Sequence, residues 1–382
     1  TDSDFNVAIG YGALSEDTLG DRSIAIGHNA LTLQNFTTST QVFNTAIGHN
    51  VGASITTGIF NTLIGGLAGD ALTDADSNVA VGLNALTNDT KGNKSVAIGQ
   101  EALGTQNFTT STDTVNVAVG HQAGTLITTG KENTLIGAVA GDALTDADFN
   151  VALGVSSLSS DTLGSRSTAL GYGTLGSQNF TTATNVYNVA VGHAAGNNIS
   201  TGVRNTTVGG LALQSETLGS NSVAVGYATL NNQNFTTATD AYNVAVGSLA
   251  GLSVTTAVQN TLVGGFAGDA LTTGGENSAF GYAALSSETT GTSNTALGNL
   301  SLLSQNGGSA NTAVGYNSGR SISTGINNVS MGAFSGDALT DADFNLAIGT
   351  HALTADTLGS KSTAVGYFAL GNQNFTTATD TF

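Results

Sequence analysis

One short pattern of apolar and polar positions recurs along the whole chain. It consists of Asn or Ser, a small or branched residue, a residue that is usually Ala, an apolar residue and then Gly, as in 78–82. Branched residues closed by Gly are typical of a short strand that ends in a turn. Because side chains alternate along a strand, residues one and three before the Gly share a face. The residue before Gly is apolar in every copy, so we expect it inside. Ala stands two before Gly in 16 copies, and we expect this column to face a closely apposed surface.

The motif repeats with a fixed period. Its 21 glycines run from Gly10 to Gly366, with 16 intervals of 17 residues and four of 21. The longer coils carry an insertion that contains Gln-Asn-Phe-Thr-Thr. The first three copies of this segment begin 72 residues apart, and this spacing defines a cassette of four coils. Residues 1–382 are therefore expected to form a single rod with no separate second domain.

This repetition predicts an all-β fold, a parallel β-solenoid of about 21 coils with a 17-residue period. Asn side chains at equivalent turns are expected to form ladders along the axis. One narrow coil has room for few inward side chains, so a single chain is thinly stabilised. Burial of the Ala column between rods therefore predicts a homotrimer, intertwined or side by side.

Composition excludes several classes of function. The chain has no Cys, which removes disulfides, thiolate metal sites and cysteine nucleophiles. With 26 acidic and 8 basic residues its net charge is -18, so nucleic acid is not an expected partner. No apolar stretch reaches the roughly 20 residues of a membrane span, so this segment is not expected to insert into a membrane. Because residue 1 is Thr and no signal peptide follows it, we expect a fragment or a processed product.

The motifs 44–48, 95–99 and 345–349 resemble the head repeats of the YadA-like trimeric autotransporter adhesins, whose signature is Asn-Ser/Thr-Val/Ala-Ala-Ile-Gly. The resemblance covers nearly the whole chain. It implies a left-handed parallel β-roll, a homotrimer and adhesion at a bacterial cell surface. The 17-residue period is longer than that of the family's usual head repeat, and no heptad stalk or anchor is present. Similar repeats also resemble parts of phage tail fibres.

Acidic clusters recur in the cassette and are candidates for a Ca²⁺ site, because oxygen ligands that alternate along a turn suit this ion. The other interpretation is a solvated turn that resists aggregation, and it predicts weak or no Ca²⁺ dependence and no cofactor. The candidate ligands are Asp74, Asp76, Asp146, Asp148, Asp341 and Asp343.

Two sets of aromatic residues are candidates for contacts. His and Tyr share the position after the motif Gly, as at His28 and Tyr11, which indicates aromatic stacking or an interface rather than metal ligands. Each insertion carries a Phe that either projects as a recognition row for a sugar or protein, or folds back onto the core. These surface-recognition candidates are Phe36, Phe108, Phe180, Phe235 and Phe375. The same insertions contain N-glycosylation sequons such as 35–37, which matter only in a eukaryotic secretory route, and the resemblance disfavours that route.

The sequence predicts a non-enzymatic extracellular adhesin that attaches to a host-surface protein or glycan. A tail fibre on a virion is the first alternative, and a solenoid enzyme that degrades polysaccharides is the second. Catalytic residues are not expected, because an enzyme usually breaks its repeat at one unique site and this chain repeats the same acids in each cassette.

Overall fold

The computed structural model describes residues 4–381. The chain divides into two compact units, Thr1–Asn188 and Val189–Phe382. Within the described residues both units consist of strands and turns, and neither contains a helix.

The first unit contains three-residue strands at the repeated motif and two-residue strands near the insertions. In chain order they are β1 (Val7–Ile9), β2 (Gly20–Asp21), β3 (Ile24–Ile26), β4 (Thr40–Gln41), β5 (Thr45–Ile47), β6 (Thr62–Ile64), β7 (Val79–Val81), β8 (Gly92–Asn93), β9 (Val96–Ile98), β10 (Thr112–Asp113), β11 (Val117–Val119), β12 (Thr134–Ile136), β13 (Val151–Leu153), β14 (Gly164–Ser165), β15 (Thr168–Leu170) and β16 (Thr184–Asn185).

The second unit repeats this arrangement. Its strands are β17 (Val189–Val191), β18 (Thr206–Val208), β19 (Gly219–Ser220), β20 (Val223–Val225), β21 (Thr239–Asp240), β22 (Val244–Val246), β23 (Thr261–Val263), β24 (Ser278–Phe280), β25 (Thr295–Leu297), β26 (Thr312–Val314), β27 (Val329–Met331), β28 (Leu346–Ile348), β29 (Gly359–Ser360), β30 (Thr363–Val365) and β31 (Thr379–Asp380).

Within each unit, every motif strand pairs in parallel and in register with the motif strand of the next coil. In the first unit Val79 lies opposite Val96, and in the second Val223 lies opposite Val244. Two-residue strands form separate parallel pairs, such as β8 with β10, where the insertion lengthens the coil. The predicted parallel β-solenoid with a 17-residue period is confirmed.

The motif Gly is required where two coils meet. Positions within a coil are counted from this glycine, position 0. Gly120 has a φ of +141°, which disfavours residues with a side chain, and a Cβ there would lie 2.4 Å from the carbonyl oxygen of Gly137. Because this column repeats at the end of each motif strand, the backbones of adjacent coils approach closely there.

The prediction of which strand face lies inside was wrong. Ala at position −2, for example Ala97, is fully buried within its own coil, whereas Ile98 at position −1 is 37% exposed. The reason is size: where buried Leu side chains such as Leu86 and Leu103 occupy position +4 of the preceding coil and the same coil, position −2 accepts Ala more readily than the larger Ile or Val. Substitution of Ala97 by Arg would therefore disrupt the coil itself, not only its assembly.

Buried Asn side chains at position −4 form the predicted ladder. Asn61 Oδ1 accepts the backbone N–H of Asn78 at 2.9 Å, and Asn61 Nδ2 donates to the carbonyl oxygen of Ala75 at 2.9 Å. Both bonds reach the following coil. The ladder thus satisfies buried backbone groups at the turn and ties successive coils together.

Core volume is balanced between positions −2 and +4. Leu replaces Ala at position −2 in Leu63, Leu135 and Leu262, and each lies between glycines at position +4 of its own and the preceding coil. A Cβ at Gly124 or Gly141 would lie 2.7 or 2.8 Å from a Cδ atom of Leu135. Glycine at these positions therefore makes room for the larger side chain.

Candidate functional site

The outward face of each motif strand carries a repeated set of exposed or half-exposed apolar side chains. We call positions −3 and −1 together the outer sheet face. Its members include Ile47 and Ile98 at 37% exposure, and Leu297 and Met331 at 47% and 41%. None of the chain's 34 charged residues occupies either column in any of the 21 motifs. A surface that only contacts water is normally interspersed with charges, so this face has the composition of an association surface.

Aromatic rings line one border of the outer sheet face. His28 stacks on Tyr11 with ring centroids 5.4 Å apart, and on His49 at 5.1 Å. In the second unit Phe334 stacks on His351 at 5.0 Å, one residue further along the coil. The stacking of rings at position +1, directly after the motif Gly, is as expected. Rings at the neighbouring position +2 stack in the same way.

The other border lies at position −5, and the sequence reasoning missed it. Five of the eight basic residues occupy this column: Arg22, Lys94, Arg166, Arg204 and Lys361. The guanidinium of Arg166 lies 4.4 Å from the ring centroid of Phe149 one coil earlier. Lys94 forms a 2.5 Å ion pair with Asp113, and this hydrogen bond lowers the pKa of Asp113. Clustering of scarce cations at one coil position was the signal that marks this column.

The Phe side chains of the insertions are not an exposed recognition row. Exposure is only 5–7% for Phe36, Phe108, Phe180 and Phe235, and Phe375 is half-buried. The ring of Phe36 packs so closely on the preceding coil that a Cβ at Gly20 would lie 3.0 Å from its Cδ2 atom. Four of the five Phe side chains therefore fold onto the core of the coil, and a recognition role for the row stays a prediction without support from their exposure.

A carboxylate 17 residues before the insertion Gln accepts a hydrogen bond from that Gln in each Phe-containing insertion. Asp89 Oδ1 accepts the backbone N–H groups of Gly92 and Phe108, each at 3.0 Å, and its Oδ2 accepts Gln106 Nε2. Gln106 also bonds Ser95, which replaces the ladder Asn in this coil. Acids occupy the same position before the other copies of this Gln: Asp161, Glu216, Glu288 and Asp356 are buried, and Asp17 is half-buried. These carboxylates accept N–H donors from the backbone and from the Gln side chain.

The six Ca²⁺ candidates all accept hydrogen bonds from neighbouring groups. Asp76, Asp148 and Asp343 accept the backbone N–H of the preceding coil, at Ile59, Lys131 and Ile326 respectively, over 2.7–2.8 Å. Asp146 and Asp341 accept hydroxyl groups of Thr129 and Thr324, and Asp74 pairs with Lys91 at 3.4 Å. Among residues 4–381, no three His, Asp or Glu side chains form a group that would hold a metal ion.

One carboxylate is poorly satisfied. Asp142 Oδ1 is buried and has no hydrogen-bond partner, and desolvation raises the pKa of this side chain. At the equivalent position one cassette earlier, Asp70 accepts the hydroxyl of Thr87. The missing hydrogen bond of Asp142 is a feature of one coil, and it does not form part of a cluster of ionisable groups.

No protein-family model and no curated protein sequence matches this chain. Within the described part of the chain, no helix is long and apolar enough to cross a membrane.

Proposed function

We propose that the chain is a non-enzymatic extracellular fibre that assembles as a homotrimer and attaches a bacterial cell to a host surface. The observation that carries the proposal is the outer sheet face, which is uncharged and has an apolar residue at position −1 in every coil. In a chain of net charge -18, two columns without a single charge indicate a surface that another apolar surface covers.

A second and a third copy of the same chain are the occupants that fit this face. Each coil offers an apolar residue at position −1 and a branched aliphatic residue, Thr or Ser at position −3. These positions recur with the spacing of paired strands, so an identical neighbour meets a matching ladder along its length. The resemblance to trimeric adhesin heads supplies the number three and the left-handed coil. Ile98 and its equivalents would then form the core between chains, in place of the Ala column.

The non-enzymatic part of the proposal rests on the repetition of the acids. The buried carboxylates accept several N–H donors each, and the candidate Ca²⁺ ligands cap backbone or hydroxyl donors of adjacent coils. Groups already committed to coil contacts in every cassette have a structural use. Attachment by weak contacts at many equivalent coils also gains from avidity in a trimer.

An adhesion assay with the full chain tests this function. Beads coated with the chain are expected to be retained under flow on a cultured epithelial monolayer, and beads coated with albumin to be washed away. The variant Ile98→Asp, which places a charge on the outer sheet face, is expected to reduce both assembly and retention. Retention of the wild-type beads no greater than that of albumin beads would contradict the proposed attachment.

A further inference from the structure

The insertions present a set of asparagines in a common, accessible geometry. Each copy of Gln-Asn-Phe-Thr contains the sequon Asn-x-Thr, and in all five copies both the Asn and the Thr are exposed. The intervening Phe is folded onto the core, which fixes the backbone between them. The five asparagines are Asn35, Asn107, Asn179, Asn234 and Asn374.

A hydroxyl from the preceding coil orients each of these amides. Thr18 donates to Asn35 Oδ1 at 2.9 Å, and Thr217 donates to Asn234 Oδ1 at 2.8 Å. The other three amides accept the same bond at 3.2–3.3 Å, from Thr90, Thr162 and Thr357. Because the amide oxygen is bound to the preceding coil, the amide nitrogen is directed away from that coil. Among the described residues, this nitrogen makes no hydrogen bond.

The other sequons of the chain lack this geometry. The sequence contains eleven Asn-x-Ser/Thr triplets, and in the remaining six the hydroxyl residue is buried or half-buried. Thr207, for example, is fully buried and bonded to the carbonyl oxygen of Val189. In the five insertions, by contrast, the third residue is exposed, and no side chain of residues 4–381 makes a hydrogen bond with the hydroxyl of Thr37 or Thr109. Accessibility of both required groups thus coincides with one recurrent segment.

We propose that Asn35, Asn107, Asn179, Asn234 and Asn374 are acceptor sites for N-linked glycosylation of the folded chain. The co-substrate is a sugar activated by a diphosphate leaving group, and the partner is a transferase specific for Asn-x-Ser/Thr. Such a transfer needs only these two components, so the proposal replaces the expectation that the sequons matter only in a eukaryotic secretory route. The amide Nδ2 attacks C1 of the sugar, the bond from C1 to the diphosphate oxygen breaks, and the diphosphate leaves with its electron pair. Nδ2 gives up one proton to a base of the transferase.

This inference goes beyond the proposed attachment function and does not depend on it. In the first unit the sites are four coils apart, about 19 Å at the usual strand spacing. They lie eight residues after the motif Gly, whereas the outer sheet face immediately precedes it. Sugars at these sites would therefore leave the apolar face uncovered.

The first test uses the full chain, purified unmodified and folded, with an Asn-x-Ser/Thr-specific N-glycosyltransferase and a nucleoside-diphosphate glucose. Peptide mass mapping is expected to find hexose on the five insertion asparagines, at least tenfold more than on the buried Asn205 and Asn328. The same mapping after denaturation controls for the peptide preference of the enzyme. Equal modification of buried and insertion sites in the folded chain, or modification only after unfolding, would overturn the proposal.

Three variants separate recognition of the sequon from damage to the fold. Thr109→Ala is expected to abolish modification of Asn107 alone, and Thr109→Ser to retain it. The adjacent, equally exposed Thr110→Ala is the matched control and is expected to leave all five sites active. Mass mapping of the chain recovered from its own producing cell completes the test: sugar on these asparagines supports the proposal, and a wholly unmodified chain overturns it.

Discussion

Replacement of Ser330 by Leu is expected to stabilise the second unit, because this coil has space for a larger side chain. Ser330 stands at position −2, between Gly319 and Gly336 at position +4 of the preceding coil and its own. Everywhere else that two such glycines flank position −2, the residue there is Leu. The Ser330 hydroxyl is 1% exposed and has no hydrogen-bond partner.

Contacts around the equivalent glycines give the available space. A Cβ at Gly124 would lie 2.7 Å from Cδ1 of Leu135. At Gly319 no atom of residue 330 is among the nearest neighbours, and Ala313 Cβ at 3.6 Å takes third place. The position filled by a Leu methyl in the first unit is thus unfilled beside Ser330.

The size of the gain follows from two terms. Burial of a Leu side chain contributes about 1.5–3 kcal/mol, and loss of an unpaired buried hydroxyl removes a penalty of about 1–3 kcal/mol. Imperfect fit and lost side-chain freedom offset part of this sum. We therefore expect a net gain in stability of about 2 kcal/mol. This gain corresponds to roughly 30-fold slower hydrogen exchange at amides that exchange only when the coil opens.

Hydrogen exchange measured by mass spectrometry is the appropriate assay, since long repeats need not unfold in a single step. Peptides that cover residues 313–336 are expected to exchange about 30-fold more slowly in Ser330→Leu. The matched control is Ala296→Leu, which introduces Leu at position −2 of another coil. There Leu285 and Leu302 replace the two flanking glycines, so overpacking is expected to cost about 1–3 kcal/mol of stability. Unchanged exchange in Ser330→Leu, or equal tolerance of both variants, would refute the reasoning.

Further predictions concern the carboxylates and the motif glycine. Asp89→Asn is expected to lower stability by about 2–3 kcal/mol in urea unfolding, because an amide nitrogen would face N–H donors. The control Asp74→Asn, on the surface, is expected to have little effect. Equal effects of the two substitutions would argue against a structural role for the buried carboxylate. Since burial raises the pKa of Asp142 above its ordinary value of 3.8, its ionised form is disfavoured in the folded state. Asp142→Asn should therefore raise the melting temperature at pH 7, with a gain that disappears below pH 3.8, and a pH-independent gain would contradict this sign. Gly120→Ala is expected to prevent normal folding of its coil, because the new Cβ would lie 2.4 Å from the Gly137 oxygen; native-like circular dichroism and melting would contradict the close approach.

Sequence periodicity was sufficient for the fold because each coil repeats the same environments at a fixed interval. Alternation alone did not reveal which strand face is inside, since both faces carry apolar residues. The deciding factor was volume: Ala97 fits within a narrow coil, and Ile98 does not. Hydrophobicity ranks these two residues in the opposite order, which led the prediction to the wrong face.

The buried acids escaped sequence reasoning for a related reason. A charged residue is normally solvated, so sequence reasoning did not predict that Asp89 is buried. Its true environment depends on N–H donors that come from the next coil, at Gln106 and Phe108. A recurrent acid 17 residues before the insertion Gln was the available signal, visible in all six cassettes that contain this Gln.

The mass of the full chain in solution tests the central claim most directly. At micromolar concentration, light scattering and native mass spectrometry are expected to give three chains of 37.9 kDa each. Ile98→Asp, on the outer sheet face, is expected to shift this species toward smaller ones, and Thr109→Ala, in the exposed insertion, to leave it unchanged. A stable wild-type monomer with a folded β-sheet spectrum at the same concentration would contradict the account.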